Sequence, residues 1–178
     1  MAKNIIYSVT VSLIYFVTFC VASTPLGSTQ YLQATWLPIQ YASTTNQSMF
    51  DQISSLKNEG VRRVYVDVWN SGIVYFNSPT MQSIVASGIG NDHLLWALEA
   101  GNHFGVEVYA WFEYGLMTSY GSINNDFARY AQSKGWILGQ YNNAFYWMDP
   151  SNTEVLHFIA GIMKDAILNY GPKGLRGV

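Results

Sequence analysis

The chain has 178 residues, of which 49% are hydrophobic, 16% aromatic and 11% charged. So apolar a composition, with a charged share under half the usual ~25%, excludes intrinsic disorder. Nine Lys+Arg against eleven Asp+Glu, a net charge of −2, leave no basic field to hold a nucleic acid, and a single cysteine excludes a disulfide framework or a cysteine-based zinc site.

Residues 1–4 carry Lys3 and the α-amino group, and an uncharged apolar run follows from Ile5 to Ala22. Ending on the small residues of Cys20-Val21-Ala22, residues 1–22 read as a secretory signal peptide. The alternative is an uncleaved membrane anchor through residues 5–22, since that run approaches the ~20 residues that span a bilayer. The protein is therefore expected to be secreted or held in the cell envelope, or else membrane-anchored. Residues 23–30, with Thr24-Pro25-Leu26-Gly27, read as a linker, and residues 31–178 as the folded domain.

Tyr31 to Ile39 is a predicted strand. Met49 to Asn58 is a predicted helix, with Met49, Phe50, Ile53 and Leu56 on one face and Ser48 with Asp51 as a capping box. Val61 to Trp69 is rich in β-branched and aromatic residues and reads as the second strand. Asn91 to Phe104 is the next helix, Val106 to Phe112 the third strand, and Ile123 to Ser133 a short helix in a long excursion. Ser151-Asn152-Thr153-Glu154 reads as a capping box opening a helix with Val155, Ile159, Ile162, Met163, Ala166, Ile167 and Tyr170 in one stripe. Gly171-Pro172 closes it, and Leu175 to Val178 begin a fourth strand.

This order, without a hairpin signal between consecutive strands, predicts parallel pairing through right-handed crossovers. No Gly-x-Gly-x-x-Gly follows the first strand, so an open dinucleotide-binding sheet lacks its phosphate loop. The remaining reading is an α/β fold, a partial (β/α)8 barrel of about three and a half βα units, with its site at the carboxyl ends of the strands. No cofactor or metal is expected, because His93, His103 and His157 share no ligand spacing.

Those strand ends are polar and aromatic. The second strand exits through Asp67-Val68-Trp69-Asn70-Ser71-Gly72, and the third through Trp111-Phe112-Glu113-Tyr114-Gly115. Alternation puts Glu107, Tyr109, Trp111 and Glu113 on one face of the third strand, and Val106, Val108, Ala110 and Phe112 on the other. Asp149, in Trp147-Met148-Asp149-Pro150, is a third acid at a segment end; it is either part of the site or the organiser of a turn. Asp67, inside a strand, is either a paired interior residue or part of the site. Aromatic faces beside carboxylates and amides suit sugars, whose apolar ring faces stack while hydroxyls are hydrogen-bonded. Trp36, Trp96 and Trp136 are expected in the core, and Asn46-Gln47-Ser48, a glycosylation pattern, as a helix start.

Val68-Trp69-Asn70-x-Gly72 and Trp111-Phe112-Glu113-Tyr114-Gly115-Leu116-Met117, followed by Trp147-Met148-Asp149-Pro150 before a capped helix, resemble signatures of the glycosyl-hydrolase-like family ten of bacterial secreted proteins. The resemblance runs from Tyr31 to Val178. It implies a (β/α)8 barrel that hydrolyses O-glycosidic bonds of a polysaccharide or oligosaccharide. It makes Glu113 and Asp149 catalytic acids, and Trp69, Asn70, Trp111 and Tyr114 substrate-binding residues. Gln33-Ala34-Thr35 stand where the family has Arg-Gly before its tryptophan, and Ser71 where an arginine is common. The family's acidic pair on the fourth strand falls beyond Val178, so the chain is expected to be the amino-terminal half of the barrel. Its open edges would then be covered by a missing carboxyl-terminal half or by a second copy. The rival expectation is a non-catalytic carbohydrate-binding or envelope protein.

Overall fold

The computed structural model describes residues 33–38, 45–141 and 144–178. Every described residue lies in the unit Tyr31–Val178. The expected signal or anchor segment (1–22), the linker (23–30) and the ends of the first predicted strand (Tyr31, Leu32, Ile39) lie outside the described residues.

In chain order the elements are β1 (Ala34–Leu37), α1 (Asn46–Asn58), β2 (Arg63–Asp67), β3 (Trp69–Asn70), β4 (Ile73–Val74), α2 (Pro79–Ile84) and α3 (His93–Phe104). Then come β5 (Glu107–Trp111), β6 (Met117–Tyr120), α4 (Asp126–Ser133), β7 (Ile137–Tyr141), β8 (Phe145–Met148) and α5 (Thr153–Tyr170). β1, β2 and β5 form a parallel sheet in that order, with Ala34 opposite Arg63 and Arg63 opposite Glu107. Leu175 makes a parallel bridge to Val108, Arg176 N donates to Val108 O (3.0 Å), and Ala110 N donates to Gly177 O (2.9 Å). A fourth parallel strand therefore begins where the sequence placed it.

Period-two alternation decides the two faces of this sheet. Val64, Val66, Val108 and Ala110 are buried in one cluster with Met49 and Ile53 of α1, Leu94, Ala97 and Leu98 of α3, and Val155, Ile162 and Ala166 of α5. Helix α3 lies so close on β5 that a Cβ on Gly101 would fall 2.6 Å from Val108 Cγ2 and 2.7 Å from Val106 O. On the opposite face Trp36, Tyr65 and Tyr109 form a ladder of rings with centroids 5.8 and 5.3 Å apart. There the Arg63 guanidinium sits 4.6 Å from the Tyr109 ring centroid and pairs with Glu107 at 2.8 Å. This corrects the expectation that Trp36 is core: it stands on the edge strand, on the face without helices, 59% exposed. Trp136 is buried as expected and Trp96 is half-buried.

Helix positions were legible, but their caps differ by a few residues. Thr45, not Ser48, is the N-cap of α1, with Ser48 N donating to Thr45 Oγ1 and Thr45 N to Ser48 Oγ, both at 3.1 Å. Asn152 caps α5 by accepting from Glu154 N (2.9 Å), while the Glu154 carboxylate accepts from Trp136 Nε1 (2.8 Å). Phe158 joins the buried stripe of α5 and Ile167 is 49% exposed. Gly171 is the C-cap of α5, as the sequence placed it, donating its N–H to Ile167 O in right-handed geometry, and the left-handed Gly174 ends the short turn that follows.

A larger correction concerns hairpins, which the uninterrupted parallel reading left out. β3 and β4 pair antiparallel across the two-residue loop Ser71-Gly72. With φ of +51° and +78°, these residues have the geometry of a type I′ turn, which matches strand twist. The excursion after β5 holds a three-stranded antiparallel sheet in the order β6-β8-β7, with α4 in between. Its strands escaped the sequence pattern because register shifts at Met117/Ser119 and Ile137/Gly139 break the alternation. Among the described residues no helix is long and apolar enough to cross a membrane.

Candidate functional site

The carboxyl ends of β2 and β5 lie side by side because the strands are parallel neighbours, with Asp67 opposite Trp111 and Val68 N donating to Trp111 O at 2.9 Å. Both chains turn sharply there. After Asn70 comes the Ser71-Gly72 turn; after Glu113 come Tyr114 and Gly115, with φ of +57° and +43°. A left-handed conformation costs a bulky residue such as Tyr114 about 1–2 kcal/mol, and such strain persists where surrounding bonds over-determine it.

Those bonds converge on Asn70. Its Nδ2 donates to Asp67 Oδ2 (3.0 Å) and Glu113 Oε2 (2.8 Å), and its Oδ1 accepts from Ser71 Oγ (2.8 Å). Carboxylates only accept, so this network sets the orientation of the amide. Asp67 is fully buried and also accepts from Trp69 N at 3.2 Å, as a buried carboxylate must be hydrogen-bonded. Glu113 is half-buried at the rim. The parallel topology thus brings Asn70 and Glu113 together across 43 residues of sequence.

Two further residues brace the turns. Trp69 Nε1 donates to Gly115 O at 2.6 Å, tying one turn to the other. Asn125, the N-cap of α4, donates to Ser71 O (2.9 Å) and Thr118 O (2.8 Å) and accepts from Ala128 N (2.7 Å). A Cβ on Gly72 would lie 2.8 Å from both Asn125 Oδ1 and Thr118 O, so only glycine fits the turn against this brace. Asn125 was not singled out in the sequence; the available signal was its place as an N-cap before Asp126.

Of the four residues expected to bind substrate, the structure moves two. Trp69 is fully buried, edge-on to Phe127 (5.4 Å) and Phe158 (5.8 Å), so it has no face free for a sugar and belongs to the core. Asn70 commits its donor nitrogen to two carboxylates and so positions Glu113, and only its Oδ1, which also accepts from Ser71 Oγ, is left to meet a hydroxyl. Trp111 is half-buried at the end of β5, and Tyr114 is 48% exposed with its ring 5.7 Å from that of Phe145. Asp149 is given the bonds of a turn: its Oδ1 accepts from Ser151 N and Oγ, both at 2.7 Å, and these hold its carboxyl below the ordinary carboxylate range.

Tyr75 lies near this cluster, and its hydroxyl is held protonated by burial and by the charge of Asp67. It stacks on His93 with centroids 5.1 Å apart, and His93 in turn meets Trp96 at 5.2 Å. His93 is 6% exposed with Nδ1 unbonded. Burial pushes its pKa below the ordinary 6.5, partly opposed by Asp92. As pH falls below 6.5 the unfolded chain takes up this proton and the folded chain resists, so stability is full above 6.5 and declines below it. The urea midpoint is expected to drop between pH 7 and pH 5, and to drop less in His93→Phe, which keeps a ring in the stack but does not titrate. An equal drop in both proteins would exclude His93 as the cause.

A family model described as glycosyl hydrolase-like 10 matches residues 28–176. Glycosyl hydrolase DigH of Escherichia coli strain K12 is 25% identical over an alignment of 157 positions that covers 78% of this chain and 35% of that protein. The chain thus spans about a third of the length of the curated relatives it matches. Among solved structures, a hypothetical protein from Ruminiclostridium thermocellum superposes with a TM-score of 0.57 at 13% identity, covering 79% of this chain and 71% of that one. The maltogenic α-amylase AmyB of Thermotoga neapolitana gives a TM-score of 0.51 at 12% identity over 82% of this chain and 38% of its own. At these identities the structural likeness is one of fold, that of a partial α/β barrel.

Proposed function

Since the chain belongs to the glycosyl hydrolase-like 10 family, we propose that it is an exported protein that acts on or binds polysaccharide through the rim formed by Asn70 and Glu113. The observation that carries this reading is the 2.8 Å bond from Asn70 to Glu113 at the carboxyl ends of two parallel strands, where barrels of this type keep their chemistry. Export rests on the uncharged run from Ile5 to Ala22 behind Lys3.

Glu113 is the acid of this site. It accepts sugar hydroxyls or, when protonated, gives a proton to a glycosidic oxygen, while Trp111 and Tyr114 flank the sugar with aromatic faces. Hydrolysis with two carboxylates needs both to reach the bond, ~5–10 Å apart. Asp67 is buried and shares the Asn70 amide, so it holds the geometry and does not reach a substrate. The burial of Asp67 also favours the second reading, a carbohydrate-binding protein in which Glu113 acts only as an acceptor.

Incubation of the chain with a panel of polysaccharides separates the two readings. For a hydrolase, released reducing ends are expected, and Glu113→Gln lowers the rate by about 10²–10⁴-fold, the usual share of a general acid. Retention without cleavage, weakened in Glu113→Gln, favours the binder. Neither cleavage nor retention on any polysaccharide sinks both.

A further inference from the structure

The antiparallel sheet of the excursion carries an aromatic surface that starts at the rim's Tyr114 and runs beyond it. Three rings meet around Phe145, Tyr120 at 5.2 Å, Tyr114 at 5.7 Å and Trp147 at 5.8 Å between centroids. Tyr120 is 62% exposed and Tyr114 48%, while Phe145 and Trp147 are half-buried. The residue opposite Trp147 on β7 is Gly139, and a side chain there would meet nothing within 4 Å. That flank of the indole is therefore left uncovered by its neighbouring strand.

Single exposed aromatics are ordinary on a protein surface. A contiguous cluster of four uncharged rings, two of them tyrosines with hydroxyls, is suited to a ligand with apolar ring faces and hydroxyl edges. Its position narrows the choice. Tyr114 follows Glu113 directly, and the left-handed turn there holds Glu113 on Asn70 while laying the Tyr114 ring against Phe145. One turn thus joins the acid of the rim to the aromatic sheet, and a ligand seated on Glu113 has this face as its continuation.

We infer that the Tyr114–Tyr120–Phe145–Trp147 face is a second sugar-binding surface, which holds the units of a linear oligosaccharide that extend beyond the one at Glu113. This rests on the carbohydrate reading of the rim and adds to it the direction in which the glycan runs. It predicts that longer oligosaccharides bind more tightly than short ones, and that the gain depends on rings outside the rim.

The test measures affinity by titration calorimetry with disaccharides and hexasaccharides of glucose and of N-acetylglucosamine. Tyr120→Ala is expected to weaken the hexasaccharide about tenfold, the effect of one stacked ring, and to leave the disaccharide unchanged. Tyr120→Phe, which keeps the ring, is expected to bind both as the parent does. The side chain of Tyr120 is mostly exposed, so the urea midpoint of Tyr120→Ala should match the parent and exclude misfolding as the cause. Full hexasaccharide affinity in Tyr120→Ala, with both lengths weakened in Glu113→Gln, would overturn the second surface and leave the rim standing. A parent chain that binds neither length, nor any polysaccharide of the panel, would remove the rim reading and this inference with it.

Discussion

Asn70→Asp is expected to destabilise the fold by about 3 kcal/mol at pH 7, because a donor between two carboxylates becomes a third carboxylate. In the parent, one amide nitrogen serves Asp67 at 3.0 Å and Glu113 at 2.8 Å. The substitution removes both charge-assisted bonds and places like charges at those distances, one of them on the fully buried Asp67. Neighbouring anions raise the folded-state pKa of the introduced carboxyl above its unfolded value. The repulsion is therefore present at high pH and fades as pH falls through that raised value, where a proton restores one donor. Asn70→Ala loses the bonds without adding a charge, so the gap between the two variants should narrow between pH 7 and pH 5. Urea denaturation of the three proteins at both pH values measures this, and an unchanged midpoint for Asn70→Asp at pH 7 would show that the network is not formed.

The second large effect is at Trp69. Truncation to alanine is expected to cost about 3–5 kcal/mol, the range for deleting a buried aromatic side chain. The ring is fully buried against Phe127 and Phe158, and its indole nitrogen satisfies Gly115 O at 2.6 Å. Set against a typical total of about 5–15 kcal/mol, such a loss leaves little folded protein at elevated temperature. Trp69→Phe keeps most of the packing but orphans the Gly115 carbonyl, so a smaller cost of about 1–3 kcal/mol is expected. Thermal and urea unfolding of both variants check the order. If Trp69→Ala unfolds like the parent and loses only sugar affinity, the indole is a binding platform after all.

Much of the architecture could be read from residue pattern. The run Val64-Tyr65-Val66 and its counterpart Val108-Tyr109-Ala110 marked strands with one apolar face, and that face is the buried one. Helical spacing located α1, α3 and α5, because a 3.6-residue period is a local property. The nearness of Asn70 to Glu113 followed from parallel topology alone: two neighbouring strands of one direction must deliver their exits to one rim.

The misses share a physical cause. β3 and β4 are two residues long, too short for any alternation to register, and the Ser71-Gly72 loop is equally at home in an isolated turn. Trp69 looked like a rim aromatic from its place after β2, but the hairpin returns it to the core. Trp36 looked like core from its hydrophobicity, yet it stands on the face opposite the helices. In the β6-β8-β7 sheet, bulges broke the two-residue period that identifies a strand.

What the amino-acid sequence determined unaided was the order and type of the main elements, the inward face of the parallel strands, and the two exits that carry Asn70 and Glu113. These depend on backbone propensity and on periodicity over a few residues. Tertiary structure alone decided that Asp67 and Glu113 share one amide, that Trp69 and Asn125 brace the turns, and that three rings gather around Phe145. Each of those outcomes joins segments far apart in the chain, where partner and orientation follow from how whole elements pack.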